Sequence, residues 1–326
     1  MNCKIAEQTH FGDGVTVFDR ALDARIRMAA FEWLGDQTSR HGDVLPRTLL
    51  AEGFRIDGVR VPLLGPQGIF KPQVMSEVPL SITTAPLGPY DDSFGADGLL
   101  RYRYRGTDMN HADNRGLRNA MERRLPLVYM HGILPGKYLV TWPVYVVGDD
   151  PRNLLFSVAF DDAQHLGLPN EKPQQMVNEE VDFARRAYIT TAVRVRLHQR
   201  AFRERVLAAY QVQCAFCRLR HQELLDAAHI IPDVEPDGEP LIRNGLSLCT
   251  LHHAAFDRYF IGIRPDFTLE VREDLRHEKD GPTLVHAIQG LHDSRILLPR
   301  RVDYRPGVEL LEQRYERFRQ AQSAVE

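Results

Sequence analysis

The chain has 326 residues, 43% of them hydrophobic and 26% charged, which is ordinary for a soluble globular protein long enough for two domains. No apolar run approaches the roughly 20 residues of a membrane span, and the first residues lack the apolar core of a secretory signal, so we expect a cytoplasmic protein without a membrane partner. The net charge of -3 at pH 7 is unusual for a small nucleic-acid binder. Residues 185–220, however, are rich in arginine and contain one acid, Glu204, so this segment carries positive charge that could bind phosphates.

The first half of the chain is predicted to be α+β with a strand-rich core. Residues 18–56 read as mostly helical, and a segment rich in glycine and proline follows. Short apolar runs then predict strands at 59–64, 78–84, 99–105, 125–133 and 138–147, with a helix at 114–124. Because alternate residues of a strand share a face, the run at 99–105 separates arginines from tyrosines: Arg101, Arg103 and Arg105 on one face, Tyr102 and Tyr104 on the other.

The second half begins with a polar linker, predicted at 161–178, and a long basic helix, predicted at about 178–210. A closing helix is predicted from Tyr304 to Phe318. We therefore expect three segments: a recognition domain at 1–170, a linker helix at 171–210 and a further domain at 211–326.

Three of the four cysteines gather with a histidine into two ligand pairs. Cys214 and Cys217 are separated by two residues, as are Cys249 and His252. Two such pairs complete a tetrahedral site, and a closed structural Zn²⁺ would stabilise a region with too few residues for a large core. The alternative is free cysteines beside a chance Cys–His pair.

The residues between and after these pairs carry a more specific pattern. It reads Ala-Ala-His-Ile-x-Pro up to residue 232, then Asn-Gly-Leu-x-Leu-Cys from residue 244, then His-x-x-Phe-Asp from residue 253. The pattern resembles the HNH family of ββα-metal nucleases. The resemblance implies His229 as general base, Asn244 as the residue that fixes the loop or binds metal, and His253 as a metal ligand.

The resemblance also implies one catalytic divalent cation, Mg²⁺ or Mn²⁺, beside the scissile phosphate. Many members have Asp or His before the base, where this chain has Ala228. Asp257, one helical turn after His253, and Asp226 are the candidate replacements. Two alternatives remain: Asp257 pairs with Arg258 or Arg264, or the module binds DNA without cutting it.

A weaker resemblance concerns residues 98–147. The segment Arg-Tyr-Arg-Gly-Thr-Asp at 103–108 resembles SRA domains, PUA-like barrels that flip a modified cytosine out of the duplex. It implies that Tyr104 stacks on the base, that Asp108 bonds its exocyclic amine, and that the neighbouring Tyr102, Arg101, Arg103 and Arg105 contact DNA. Alternatively, the two tyrosines are core residues of an ordinary barrel strand.

These resemblances predict a modification-dependent restriction endonuclease. Its SRA-like domain would read 5-methyl- or 5-hydroxymethylcytosine in double-stranded DNA, and its HNH domain would cut nearby. Because one HNH site cuts one strand, we expect a homodimer. The alternatives are an HNH nuclease without modification dependence and a non-catalytic DNA-binding sensor.

Overall fold

The computed structural model describes residues 18–85, 93–95, 97–160, 195, 197–279 and 281–323. The chain divides into two compact units, the first comprising residues 1–132 with 136–190 and the second 133–135 with 191–326. The predicted linker at 161–178 lies outside the described residues. No helix among those described has the length and apolarity needed to cross a bilayer.

Ten strands and three helices form the described part of the first unit. The helices are α1 (Arg20–His41), α2 (Arg47–Glu52) and α3 (Ala112–Glu122). The strands are β1 (Val44–Pro46), β2 (Phe54–Ile56), β3 (Val59–Val61), β4 (Ile69–Phe70), β5 (Ser81–Thr84), β6 (Ser93–Phe94), β7 (Leu100–Arg103), β8 (Leu127–Leu134), β9 (Lys137–Asp150) and β10 (Leu155–Phe160).

Eight of these strands form one sheet, in the order β4-β5-β8-β9-β10-β7-β6 with β1 added beside β9. The long strand β9 pairs with β1 near its start and with β10 towards its end, so the sheet curls along it. Strand β5 pairs parallel with β8, whereas the pairs of β4 with β5, β1 and β10 with β9, β10 with β7 and β6 with β7 are antiparallel. The mixed α+β, strand-rich architecture is confirmed, whereas a PUA/SRA-like barrel stays a prediction.

Helix α1 covers part of this sheet with an apolar stripe. Asp19 caps its first turn by accepting hydrogen bonds from two backbone amides, and Ile26, Ala30 and Leu34 are buried at four-residue spacing. These side chains belong to the same core as strand residues such as Val128. The prediction that residues 18–56 are mostly helical holds for α1 and α2.

The second unit is built around its own core. Its helices are α4 (197–209), α5 (Thr250–Asp257), α6 (Glu273–His277), α7 (Pro282–Ala287) and α8 (Val308–Ser323), and its strands are β11 (Leu225–His229), β12 (Gly245–Cys249), β13 (Ile261–Ile263) and β14 (Leu269–Val271). The basic helix predicted at about 178–210 is observed as α4 at 197–209, and residues 178–194 lie outside the described residues.

The closing helix begins four residues later than predicted. Residues Val302–Tyr304 form a 3-10 turn, and Arg305 is extended, with φ -68° and ψ 150°. Pro306 explains this start, because the residue before a proline is disfavoured in the helical region. The predicted start at Tyr304 was therefore wrong.

A buried ion pair on α1 provides a stability test for the first unit. Arg27 donates to both carboxylate oxygens of Asp23, at 2.6 and 3.1 Å, and the two side chains are 2% and 6% exposed. Arg27→Met leaves the Asp23 carboxylate buried without its partner, so we expect the free energy of unfolding to fall by about 3–5 kcal/mol. Urea denaturation followed by tryptophan fluorescence measures it, because Trp33 and Trp142 both lie in this unit.

The control is Arg25→Met on the same helix. Arg25 pairs with Asp57 at 2.7 Å, but both side chains are largely exposed, so its loss costs roughly 0–1 kcal/mol. Equal unfolding midpoints for the two variants would contradict the importance of the buried pair.

Candidate functional site

A β-hairpin followed directly by a helix forms the frame of the candidate site. Strand β11 pairs antiparallel with β12, which sets Leu225 opposite Cys249 and His229 opposite Gly245. Helix α5 begins at Thr250, immediately after β12 ends. Because no loop separates hairpin from helix, side chains on all three elements have closely fixed relative positions.

The four predicted zinc ligands are brought together at one end of this frame. The ligand atoms of Cys214, Cys217, Cys249 and His252 all lie within 4.8 Å of one another. His252 Nδ1 lies 3.1 Å from Cys249 Sγ and 3.5 Å from Cys214 Sγ, and the sulfurs of Cys217 and Cys249 are 4.0 Å apart. A tetrahedron of such ligands around zinc has edges of roughly 3.5–3.8 Å. The donor set therefore fits a closed structural Zn²⁺ site.

The orientation of His252 also suits a metal ligand. Its Nε2 lies 2.7 Å from the carbonyl oxygen of Ala287 in α7. Because a carbonyl only accepts, Nε2 carries the proton and Nδ1 presents its lone pair to the sulfurs. Hydrogen bonds with Cys217 and Cys249 lower the pKa of the Cys214 thiol, and hydrogen bonds with Cys214 and Cys249 raise that of Cys217, so the thiolate of the metal-free cluster lies at Cys214.

A second group, which we call the carboxylate–histidine cluster, consists of Asp226, His253 and Asp257. His253 Nδ1 lies 3.5 Å from Asp226 Oδ2 on β11, and His253 Nε2 lies 3.3 Å from Asp257 Oδ2 one turn later on α5. The hydrogen bond with Asp226 raises the pKa of His253, as does the charge of Asp257, while burial opposes them. Both acids expected to compensate for Ala228 thus lie at His253, and two carboxylates with an imidazole suit Mg²⁺ or Mn²⁺.

His229 ends β11 and stacks on an aromatic ring of α4. Its ring centroid lies 4.1 Å from that of Phe202, with 15° between the planes. Its Nε2 is buried, with no hydrogen-bond partner among the residues described. Burial lowers the pKa of His229 below the ordinary 6.5, against the opposing charge of Asp233. A buried ring nitrogen without a partner disfavours the imidazolium, so the neutral ring prevails at pH 7.

The close packing of Phe202 on His229 depends on a glycine in the opposite strand. A Cβ atom on Gly245 would lie 2.4 Å from Val206 Cγ2 and 2.9 Å from Phe202 Cζ. Any larger residue would therefore push α4 away from the hairpin. Gly245 is the register partner of His229 in the opposite strand. The glycine of the Asn-Gly step therefore leaves room for the Phe202 ring that stacks on His229.

Asn244 uses its amide to fasten the loop between the two strands. Its Oδ1 accepts a hydrogen bond from the Ile231 amide at 2.9 Å, and its Nδ2 donates to the carbonyls of Ile231 at 2.9 Å and Glu239 at 3.1 Å. The side chain is 1% exposed. Of the two roles that the resemblance implied, this geometry corresponds to fixing the loop.

In the first unit, the predicted alternation at 99–105 is observed, with both tyrosines buried and Arg103 and Arg105 exposed. The Tyr104 ring stacks on Phe156 with centroids 4.5 Å apart, and its hydroxyl donates to Asp149 and accepts from Arg118. The ring is thus packed against another side chain, and its stacking on a base stays a prediction.

Four of the five other residues assigned to DNA in this unit have partners within the fold, and the fifth, Arg103, is exposed. Tyr102 donates to the Thr83 carbonyl at 3.2 Å, Arg101 binds Asp97 and Ser157, and Arg105 binds Asp113. Asp108 accepts from the Asn110 amide at 2.8 Å within an exposed turn. Their contacts with DNA likewise stay predictions.

Sequence reasoning missed two contributors from α4. Phe202 belongs to no motif in the sequence, and Arg203 is one of nine arginines between residues 185 and 220. Arg203 donates to the Leu225 carbonyl at 2.7 Å, and its Nε lies 3.5 Å from Asp226 Oδ1. Both contacts join residues more than twenty positions apart, so local spacing contains no signal for them.

Residues 214–264 match a family model described as HNH_2, HNH endonuclease. This part of the chain is therefore an HNH endonuclease domain, and the protein that carries it is a DNA endonuclease. The match spans the carboxylate–histidine cluster, His229 and the four predicted zinc ligands. No curated protein matches the chain.

Two solved structures are similar to larger parts of the chain. One is described as a modification dependent TagI restriction endonuclease, with 15% identity over 74% of this chain and 82% of that chain and a TM-score of 0.28. The other is described as the Type IV phosphorothioation-dependent restriction endonuclease ScoMcrA, with 13% identity over 75% of this chain and 50% of that chain and a TM-score of 0.19. At such TM-scores both are weak global likenesses, and the domain assignment depends on the family match.

The zinc cluster leads to a metal-content test. Cys214→Ser removes a buried sulfur ligand, so we expect bound zinc to fall from one ion per chain to near none. Without the metal the second unit should lose its cooperative melting transition. Atomic emission spectroscopy measures the zinc, and calorimetry follows the transition. Cys3→Ser, which removes the cysteine outside the cluster, should retain both, and an unchanged zinc content in Cys214→Ser would contradict the site.

Proposed function

We propose that the HNH domain hydrolyses phosphodiester bonds of double-stranded DNA at a one-metal centre, with His229 as the general base. The observation that carries this proposal is the carboxylate–histidine cluster, in which Asp226 belongs to β11, the strand that ends at His229, and His253 and Asp257 belong to α5. A neutral ring accepts a proton at pH 7, and a cluster of two carboxylates and an imidazole suits a divalent cation.

Each residue then has a defined task. His229 takes a proton from the attacking water, and the stack on Phe202 holds its ring in one orientation. Asp226, His253 and Asp257 would hold Mg²⁺ or Mn²⁺. When bound, such a cation stabilises the charge that develops on the phosphate and on the leaving oxygen. Asn244 keeps the loop after β11 closed, so that His229 stays at the end of its strand.

We further propose that the first unit recognises modified cytosine and that the protein acts as a homodimer. The resemblance of residues 103–108 to SRA domains supports the first part. The second follows from stoichiometry, because one centre cuts one strand and a double-strand break needs two. Base flipping costs a few kcal/mol, which contacts with the base must offset.

Removing the base tests the catalytic proposal. His229→Ala should lower the single-turnover cleavage rate by about 10²–10⁴, the usual contribution of a general base, and leave DNA binding unchanged. At saturating Mg²⁺ or Mn²⁺, which displaces the proton from His253, the wild-type rate should be constant above pH 6.5 and fall below it, because neutral His229 is the active form and its pKa is lowered. Plasmid cleavage with Mg²⁺ or Mn²⁺ and gel shifts without metal give the two readouts.

The matched control is His277→Ala. This histidine lies in the same unit, its side chain is 72% exposed, and it pairs with Glu273 at 3.8 Å. The His277→Ala variant should cleave DNA at the wild-type rate. Cleavage by His229→Ala at that rate would refute His229 as the base.

Modification dependence is tested with matched duplexes that carry cytosine, 5-methylcytosine or 5-hydroxymethylcytosine at the same positions. We expect a modified duplex to be cut roughly 10–200-fold faster than the unmodified one, the range that one methyl-sized group provides in an apolar pocket. Single-turnover rates on the three substrates measure it. Equal rates would reject modified-cytosine recognition and leave the catalytic proposal intact.

A further inference from the structure

A buried arginine of α8 contacts the end of α5. Arg314 is 5% exposed, and its Nη2 lies 2.9 Å from the carbonyl oxygen of Phe256 and 3.5 Å from that of Asp257. Its Nη1 donates to the Tyr259 hydroxyl at 3.3 Å. The guanidinium carbon lies 4.6 Å from the centre of the Phe256 ring and 4.3 Å from that of Tyr259. One cation thus contacts the last two carbonyls of α5 and two aromatic rings.

This burial is energetically costly. No carboxylate lies within ion-pairing distance of Arg314 in the part of the chain that the structure describes, whereas Arg317, one turn later, pairs with Glu235 at 2.6 Å. A desolvated charge without a counter-ion destabilises a fold unless other groups compensate. The compensation comes from carbonyl oxygens at the negative end of a helix and from ring faces. The groups that compensate for the burial of Arg314 therefore lie at the end of α5.

The end of α5 is also where the proposed metal ligands need support. The helix has eight residues and ends at Asp257, and the last carbonyls of a helix have no partner within it. If the last turn frayed, Asp257 would leave His253, which precedes it by one turn. The Arg314 guanidinium binds both of these carbonyls, and the Tyr259 amide, just beyond the helix, also donates to that of Phe256 at 3.2 Å.

We propose that Arg314 is a positioning residue for catalysis: by holding the last turn of α5, it keeps the Asp257 carboxylate directed at the divalent cation. This inference rests on the proposed function, in which Asp257 is a metal ligand. It extends the catalytic unit fifty residues beyond the family match, which ends at residue 264. The second unit would then need α8 for metal affinity as well as for its core.

The test measures Mn²⁺ affinity in the zinc-loaded full-length protein, by electron paramagnetic resonance of free Mn²⁺ and by the Mn²⁺ concentration for half-maximal cleavage. Arg314→Gln should weaken Mn²⁺ binding by roughly 10–100-fold, as the loss of a residue that orients a metal ligand does. Arg314→Lys should be intermediate, because an ammonium keeps the charge but not the planar contacts. Arg319→Gln, the same change at an exposed position of α8, should bind Mn²⁺ like wild type.

A double-mutant cycle with Asp257→Ala separates positioning from general stability. If Arg314 acts through Asp257, Arg314→Gln should weaken Mn²⁺ binding no further in the Asp257→Ala background. If the two losses of Mn²⁺ affinity add in the double variant, the inference is overturned. It is also overturned if Arg314→Gln binds Mn²⁺ like wild type while Asp257→Ala binds it more weakly. Wild-type affinity in Asp257→Ala would instead overturn the proposed metal ligands themselves.

Zinc content and melting temperature show whether Arg314→Gln is folded at the assay temperature. If it is not, Tyr259→Leu replaces it, because this change removes one ring face and the hydroxyl that accepts from Nη1 but leaves both carbonyl contacts of Arg314 in place. It should weaken Mn²⁺ binding in the same direction by a smaller factor. A Tyr259→Leu variant with wild-type zinc content, melting temperature and Mn²⁺ affinity would overturn the inference.

Discussion

The cluster of three cysteines and His252 is the constraint on which the nuclease domain depends. Strands β11 and β12 have five residues each and α5 has eight, so these elements alone cannot bury enough apolar surface to fix their arrangement. Cys249 ends β12 and His252 lies in the first turn of α5, so a metal bound there sets the direction in which the helix leaves the hairpin. Cys214 and Cys217 connect the same point to the segment that follows α4.

The two proposed centres share one helix without sharing ligands. His252 and His253 are consecutive, and consecutive residues of an α-helix point about 100° apart. His252 is 1% exposed and faces the sulfurs, whereas the His253 side chain is 24% exposed and faces Asp226 and Asp257. Fixing the rotation of α5 at the structural cluster therefore also sets the direction of His253. The proposed structural metal site and the proposed catalytic site are therefore linked by the rotation of α5, and they share no ligand.

Local spacing was enough to predict the two ligand pairs, Cys214 with Cys217 and Cys249 with His252, and the approach of Asp257 to His253, because two-residue and four-residue separations translate directly into geometry. Asp226, 27 residues before His253, follows from the family pattern instead. It could not predict Phe202 or Arg314, whose partners are distant in sequence. For Tyr104, alternation separated the tyrosines from the arginines correctly but did not say what covers the tyrosine face. Packing of Phe156 from β10 onto that ring depends on strand order, which no local pattern contains.

The acids around His229 connect its basicity to cation binding. Burial lowers the pKa of His229, while the negative charges of Asp233, Asp257 and Asp226 raise it. A divalent cation held by Asp226 and Asp257 would neutralise two of these three charges. With less negative charge to raise it, the pKa of His229 would be lowered further by burial. The same cation would reduce the repulsion between these carboxylates and a DNA phosphate. Cation binding, phosphate binding and a neutral base then favour one another, because all three depend on neutralising the same two side chains.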